Sequence, residues 1–211
     1  VLDSDLTKTV PMKQVISGAF DTLSHCMETY MGKPQATNLS DEINEAVMRN
    51  VITNLRRLIR NPDDDFARGE LMWASAMAEN GMLKLGKQTD FQCHMIEHAV
   101  GAYTDCNHGQ GLAVIHPALY RRLLEAGKEK LARMAETVWG VKGTTIEETA
   151  MRGIEALEAF IREIGLPTHW SEMGITDESM LRAAADTCFI TPGCCRQLTR
   201  DEIFELLMER M

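Results

Sequence analysis

Four of the six histidines fall in two short windows, Gly18-Ala19-Phe20-Asp21-Thr22-Leu23-Ser24-His25 and His94-Met95-Ile96-Glu97-His98, the second followed by Asn107-His108-Gly109. Residues four apart on a helix carry their Cβ atoms about 5–6 Å apart on one face, so Asp21 with His25, and His94 with His98, can each converge on one point. His108 stands just ahead of Gly109-Gln110-Gly111, where a turn could swing a third element toward that point. One carboxylate with two or three imidazoles is a donor set suited to Zn²⁺ or Fe²⁺, at bonds of about 2.0–2.2 Å. A coordination position left open would make the site catalytic rather than structural. A lone histidine is more simply read as a hydrogen-bonded core residue. Two i, i+4 pairs with a third histidine favour a ligand cluster.

The elements that must position these residues are helices, because apolar residues recur at helical spacing and strand-like alternation is nearly absent. The pattern predicts an all-α, multi-helix bundle-like domain. Its first helix opens near Pro11 and stops at Gly32-Lys33-Pro34. A second runs from Ser40 to Arg60 with Ile43, Val47, Val51 and Leu55 as its buried stripe, and a third from about Phe66 to Leu83. The third is apolar nearly all round at Met72-Trp73-Ala74-Ser75-Ala76-Met77-Ala78, as expected of a buried central helix; Met72, Trp73, Met77 and Met82 are assigned to core packing. Further helices are expected near residues 91–103, 109–125, 128–138, 145–164, 177–186 and 199–209, with a break at Gly165-Leu166-Pro167.

A chain of 211 residues with 45% hydrophobic and 25% charged residues can bury a substantial core. Its formal net charge of −9 disfavours nucleic acid and anionic lipid surfaces. No apolar run approaches the roughly 18–20 residues that span a bilayer, and the N-terminus lacks the order of a signal peptide. Six irregularly spaced cysteines without a C-x-x-C pair fit a reducing cytoplasm, with a small molecule or another protein as partner. Cys93 and Cys106 are read as buried fillers, Cys93 with some sensitivity to oxidation, and the adjacent Cys194 and Cys195 as free thiols. His116, before Pro117, and His169, after Pro167-Thr168, stand where helix ends are expected and take no ligand role. The start at Val1 suggests a piece of a longer protein.

Three functions compete for these residues. His94-x-x-Glu97-His98 matches the pattern of inverted zinc peptidases, in which both histidines hold zinc and the glutamate activates water. That zinc hydrolase reading needs a further ligand and leaves Asp21, His25 and His108 without a role. A metal-free helical interaction domain is the blandest alternative.

The combination Gly18-x-x-Asp21-x-x-x-His25-x-x-Glu28-x-Tyr30, His94-x-x-x-His98 and Asp105-x-x-His108-Gly109-x-Gly111-Leu112-Ala113 resembles the iron-containing alcohol dehydrogenase family, in its butanol-dehydrogenase-like branch. The resemblance runs over essentially the whole chain and corresponds to that family's C-terminal helical, dehydroquinate synthase-like domain. It implies Asp21, His25, His94 and His108 as ligands of Fe²⁺ or Zn²⁺. It places His98 beside the metal, facing the nicotinamide of NAD(H) or NADP(H), either as a proton relay or as an orienting group. Glu97 is left as an exposed helix charge. A small alcohol or aldehyde is the implied substrate, and a homodimer or larger assembly the implied state. No G-x-G-x-x-G occurs among the 15 glycines, so the nucleotide-binding domain is expected to be absent from residues 1–211, and an apolar face to be exposed where it docks.

Overall fold

The computed structural model describes residues 1–192 and 195–211. Among these, the isolated antiparallel β-bridge is between Lys33 and Gln88. The helices are α1 (Met12–Tyr30), α2 (Leu39–Arg60), α3 (Asp65–Glu79), α4 (Gln92–Thr104), α5 (His108–Met134), α6 (Ile146–Glu163), α7 (Glu178–Thr187) and α8 (Arg200–Met208). Of the adjacent pair read as free thiols, Cys194 lies outside the described residues and Cys195 is a free, half-buried thiol.

Short polar side chains start most of these helices. Asn38 and Asp41 form a capping box on α2, Asp64 caps α3, Asn107 caps α5, Thr145 caps α6, and Thr199 with Glu202 caps α8. Each satisfies an N–H that has no partner within the helix. The apolar stripe of α2 packs inward as its spacing requires, with Val47, Val51 and Leu55 buried and Ile43 partly so. At the centre lies α5, buried without interruption from Gly111 to Tyr120, against α1, α4, α6 and α8.

Several boundaries differ from the sequence pattern. α3 stops at Glu79, because Gly81 takes a left-handed conformation (φ 87°) that a helix cannot continue; a 3₁₀ turn, Met82–Lys84, follows. Nor is α3 central: it turns Ala74 and Ala78 inward, while Trp73 is 53% exposed, Phe66 and Met82 are exposed and Met72 is half-buried. Leu71 and Met77 pack against the core beside Ala74 and Ala78, while Trp73 and Phe66 face out, a distinction that an all-round apolar sequence cannot convey. The two helices expected at 109–125 and 128–138 are one, bent at Gly127 (φ −123°, ψ 15°) and ending in a π turn, Ala135–Trp139. His116 and Pro117 lie inside α5 rather than at an end, since packing on every side of α5 there outweighs the hydrogen bond that proline removes.

A buried knot of charge ties α2 to α5. Asp41, fully buried, receives the ammonium groups of both Lys87 and Lys130, and the Tyr30 ring lies 5.5 and 4.4 Å from them. Tyr30 donates its hydroxyl to Glu45 (2.8 Å), which also accepts from Arg133 (2.6 Å). Among the described residues no helix is long and apolar enough to cross a membrane.

Candidate metal centre

Asp21 and His25 project from one face of α1, His94 and His98 from α4, and His108 is the first residue of α5. The turn that delivers His108 lies before it: Asp105 adopts a left-handed conformation (φ 53°) that closes α4 and lets the chain re-enter a helix within three residues. Asn107 then caps α5 and accepts the Ser17 hydroxyl at 2.6 Å, fixing the new helix to α1.

These elements bring four donor atoms together. Asp21 Oδ1 lies 3.4, 3.2 and 3.4 Å from the Nε2 atoms of His25, His94 and His108, and His94 Nε2 lies 3.1 Å from His25 Nε2. A tetrahedron with metal bonds of about 2.0–2.1 Å has edges of about 3.3–3.4 Å; the donors of Asp21, His25 and His94, all within 4.8 Å of one another, suit three corners around a small divalent cation, and His108 reaches the group through Asp21. His98 is outside the set. It is exposed, and its ring centroid stands 5.2 Å from that of His108 and 5.9 Å from that of His94. Phe91 walls the cluster, with ring centroids 5.3 Å from His25 and 5.2 Å from His94.

Behind the imidazoles stand three carboxylates. Glu28, on α1, bonds His94 Nδ1; Glu97, on α4, bonds His108 Nδ1; Glu79, the last residue of α3, lies against His25 Nδ1 but out of hydrogen-bond alignment. Glu97 is therefore not an exposed helix charge. It is 2% exposed, turned inward because His108 of the next helix offers it a partner. Two further trios bring donor atoms within 4.8 Å of one another, Glu97–His98–His108 and Glu28–Cys93–His116. In each, the carboxylate is already engaged with a histidine of the first cluster.

The charges follow from these contacts. Burial works against the Asp21 carboxylate, but hydrogen bonds from His108 and His94 hold it well below the usual range. Burial also opposes the His94 cation, yet Asp21 and Glu28 carry it up to about 9; Asp21 and Glu97 raise His108 to about 10. Burial, reinforced by the neighbouring His94, lowers His25 to about 4. Burial and the adjacent His108 lower His98. Cys93 is buried and its thiol pushed well up by burial, which removes the thiolate that oxidation requires. Cys106 is half-buried and donates to Glu97 at 3.6 Å, so it is more than filler.

Glu28 and Glu79 carried no assigned role in the sequence, and Glu97 the wrong one. Glu79 offered no signal; for Glu28 and Glu97 the usable one was an acid one helical turn from a ligand candidate. It was ambiguous because each carboxylate serves a histidine on a different helix, which helical spacing cannot pair.

The fold is an all-helical domain that places three imidazole nitrogens within 3.4 Å of one carboxylate oxygen. Residues 15–211 match the Fe-containing alcohol dehydrogenase family, C-terminal part, and the chain belongs to that family. It is 33% identical over 211 residues to NADH-dependent butanol dehydrogenase A of Clostridium acetobutylicum, covering 98% of this chain and 54% of that protein. It is 31% identical over 180 residues to the NADPH-dependent aldehyde reductase YqhD of Escherichia coli, covering 85% and 46%. Among solved structures, NADH-dependent butanol dehydrogenase A from Thermotoga maritima superposes with a TM-score of 0.90 at 29% identity, over 99% of this chain and 55% of that one. The substrate- and cofactor-free form of E. coli YqhD gives 0.91 at 28%, over 100% and 56%. The chain thus spans about half the length of the curated relatives it matches.

Proposed function

We propose that Asp21, His25, His94 and His108 hold one divalent metal, Fe²⁺ or Zn²⁺, and that the chain is the metal-binding half of an NAD(P)-dependent alcohol dehydrogenase or aldehyde reductase. The observation that carries this reading is that three Nε2 atoms, of His25, His94 and His108, stand 3.2–3.4 Å from one carboxylate oxygen of Asp21. The relatives named as NADH-dependent butanol dehydrogenase and NADPH-dependent aldehyde reductase support the reaction. When bound, such an ion polarises the alcohol or aldehyde oxygen for hydride exchange with nicotinamide.

The chain's own residues do the rest. Asp21 supplies one negative charge to the donor set and stays ionised. Glu28 and Glu97 hold two of the imidazoles by Nδ1, and Phe91 excludes water from one side. His98 is exposed beside the cluster with its cation disfavoured, so a ring nitrogen is free to accept the alcohol proton and pass it to solvent. A cleft of about 450 Å³ between the N-terminal segment, α1 and α3 is lined by the apolar residues Leu2, Val10, Val15, Leu71 and Met72. The peptidase reading gains no support from the geometry, since Glu97 is committed to His108 and the His94 and His98 donors fall in different clusters.

The test is metal content and Zn²⁺ titration of the wild type, Asp21→Ala, His108→Ala and His98→Ala. One ion per chain is expected, lost in the first two variants and kept in the third; the reverse for His98 and His108 would restore the peptidase assignment. Fused behind the nucleotide-binding half of the Clostridium relative, the chain should oxidise NADH with butanal, and the Asp21→Ala fusion should not.

A further inference from the structure

We propose that Glu97 is a positioning residue for His108, seated in a slot that Gly111 leaves open; this rests on the ligand reading above. His108 needs such a brace. It is the first residue of its helix, its side chain is 37% exposed, and only a held Nδ1 keeps Nε2 turned toward Asp21. Glu97 approaches from the preceding turn of chain. One carboxylate oxygen takes His108 Nδ1 and the other accepts the Cys106 thiol at 3.6 Å, so both are engaged inside the protein.

Space is what admits this carboxylate. A Cβ at residue 111 would stand 2.8 Å from both Glu97 Cγ and Oε1, and 3.2 Å from Cδ; at residue 101 it would stand 3.4 Å from Oε1. Gly109 has a separate duty, since a Cβ there would lie 2.3 Å from the Ser17 carbonyl oxygen. The glycines after His108 thus divide the work: Gly109 lets α5 abut α1, and Gly111 lets α5 pass over the Glu97 side chain. A buried carboxylate is expensive unless paired, and here its partner is a proposed metal ligand. Outer carboxylates of this kind fix the tautomer and ring orientation of a ligand histidine, and losing one lowers metal affinity roughly 10–100-fold.

The experiment is Co²⁺ titration of the chain, following both affinity and the visible absorption of the bound ion, on Glu97→Gln, Glu97→Asp, Gly111→Ala, the Glu97→Gln/Gly111→Ala double variant and His108→Ala. Circular dichroism checks that each folds. Glu97→Gln and Gly111→Ala should each bind roughly 10–100-fold more weakly with an altered spectrum. Glu97→Asp should recover part of the loss, and the double variant should be no worse than the weaker single. Wild-type affinity in Glu97→Gln and Gly111→Ala, with binding lost in His108→Ala, would overturn this inference and leave the ligand reading standing. Wild-type affinity in His108→Ala as well would remove the ligand reading itself. Losses that multiply in the double variant would show that Gly111 acts elsewhere and overturn the slot.

Discussion

Replacing Glu28 tests whether the carboxylates behind the histidines also hold the fold together. At the start of α4, the Phe91 side chain cannot accept a hydrogen bond and Asp90 takes the Gln92 amide (3.0 Å), leaving the Cys93 and His94 amides to be met from elsewhere. Glu28 reaches over from α1 instead, accepting the Cys93 amide at 2.5 Å and the His94 amide at 3.2 Å, besides bonding His94 Nδ1. It is 2% exposed, so water cannot substitute. A buried donor left without its acceptor costs about 1–3 kcal/mol. Glu28→Gln keeps one acceptor oxygen and turns an NH₂ toward at least one donor, so about 1–3 kcal/mol is expected. Glu28→Ala abandons both amides, for about 2–6 kcal/mol before the lost packing of the side chain. At about 2.1 cal/mol/K per residue, a chain of 211 residues shifts its Tm by about 2 °C per kcal/mol. Thermal unfolding in chelator, where no metal contributes, should therefore show Glu28→Gln lower by about 2–6 °C and Glu28→Ala lower by at least twice that. Melting of both variants within 1 °C of wild type would refute the cross-helix cap.

Two other outcomes follow from the charges. His94 and His108, raised to about 9 and about 10, stabilise the metal-free chain fully below pH about 6.5, and that stability is lost as pH rises through 9–10. Its Tm should fall over this window, while Zn²⁺ affinity should climb by up to about 100-fold per pH unit as two protons are displaced; calorimetry in two buffers at pH 7 should count about two protons released, and none would contradict it. Asp41→Asn should leave Lys87 and Lys130 buried without their counter-charge and lower stability by about 3–5 kcal/mol, seen as a Tm drop of about 6–12 °C, whereas no change would mean that the two ammonium groups are otherwise satisfied.

The helices themselves were legible because their pattern is local: a stripe such as Val47-Val51-Leu55 and a cap such as Asn38 act within one element. The four converging donors were within reach too, since Asp21 with His25 is an i, i+4 pair and the order of the windows matches a family. What spacing could not show is contact between elements. Glu28 braces a histidine 66 residues away and Glu97 one 11 residues on, each on another helix, so nothing in their own helices predicts the partner. Burial of an all-apolar segment fails for the same reason: Trp73 and Ala74 are equally apolar neighbours, and only the placement of α1 and α2 decides which faces in.

Every proposed donor and every carboxylate behind it lies between residues 21 and 108, and α6, α7 and α8 contribute none. The chain is therefore divided in its tolerance of change. The proposed donors and their carboxylates all precede residue 109; beyond it, Gly111 aside, residues act by how firmly α6 and α8 hold α5 and α7 holds α4. An engineer has in the second half a buttress whose surface can be rewritten freely, provided that the volumes against α5 are kept.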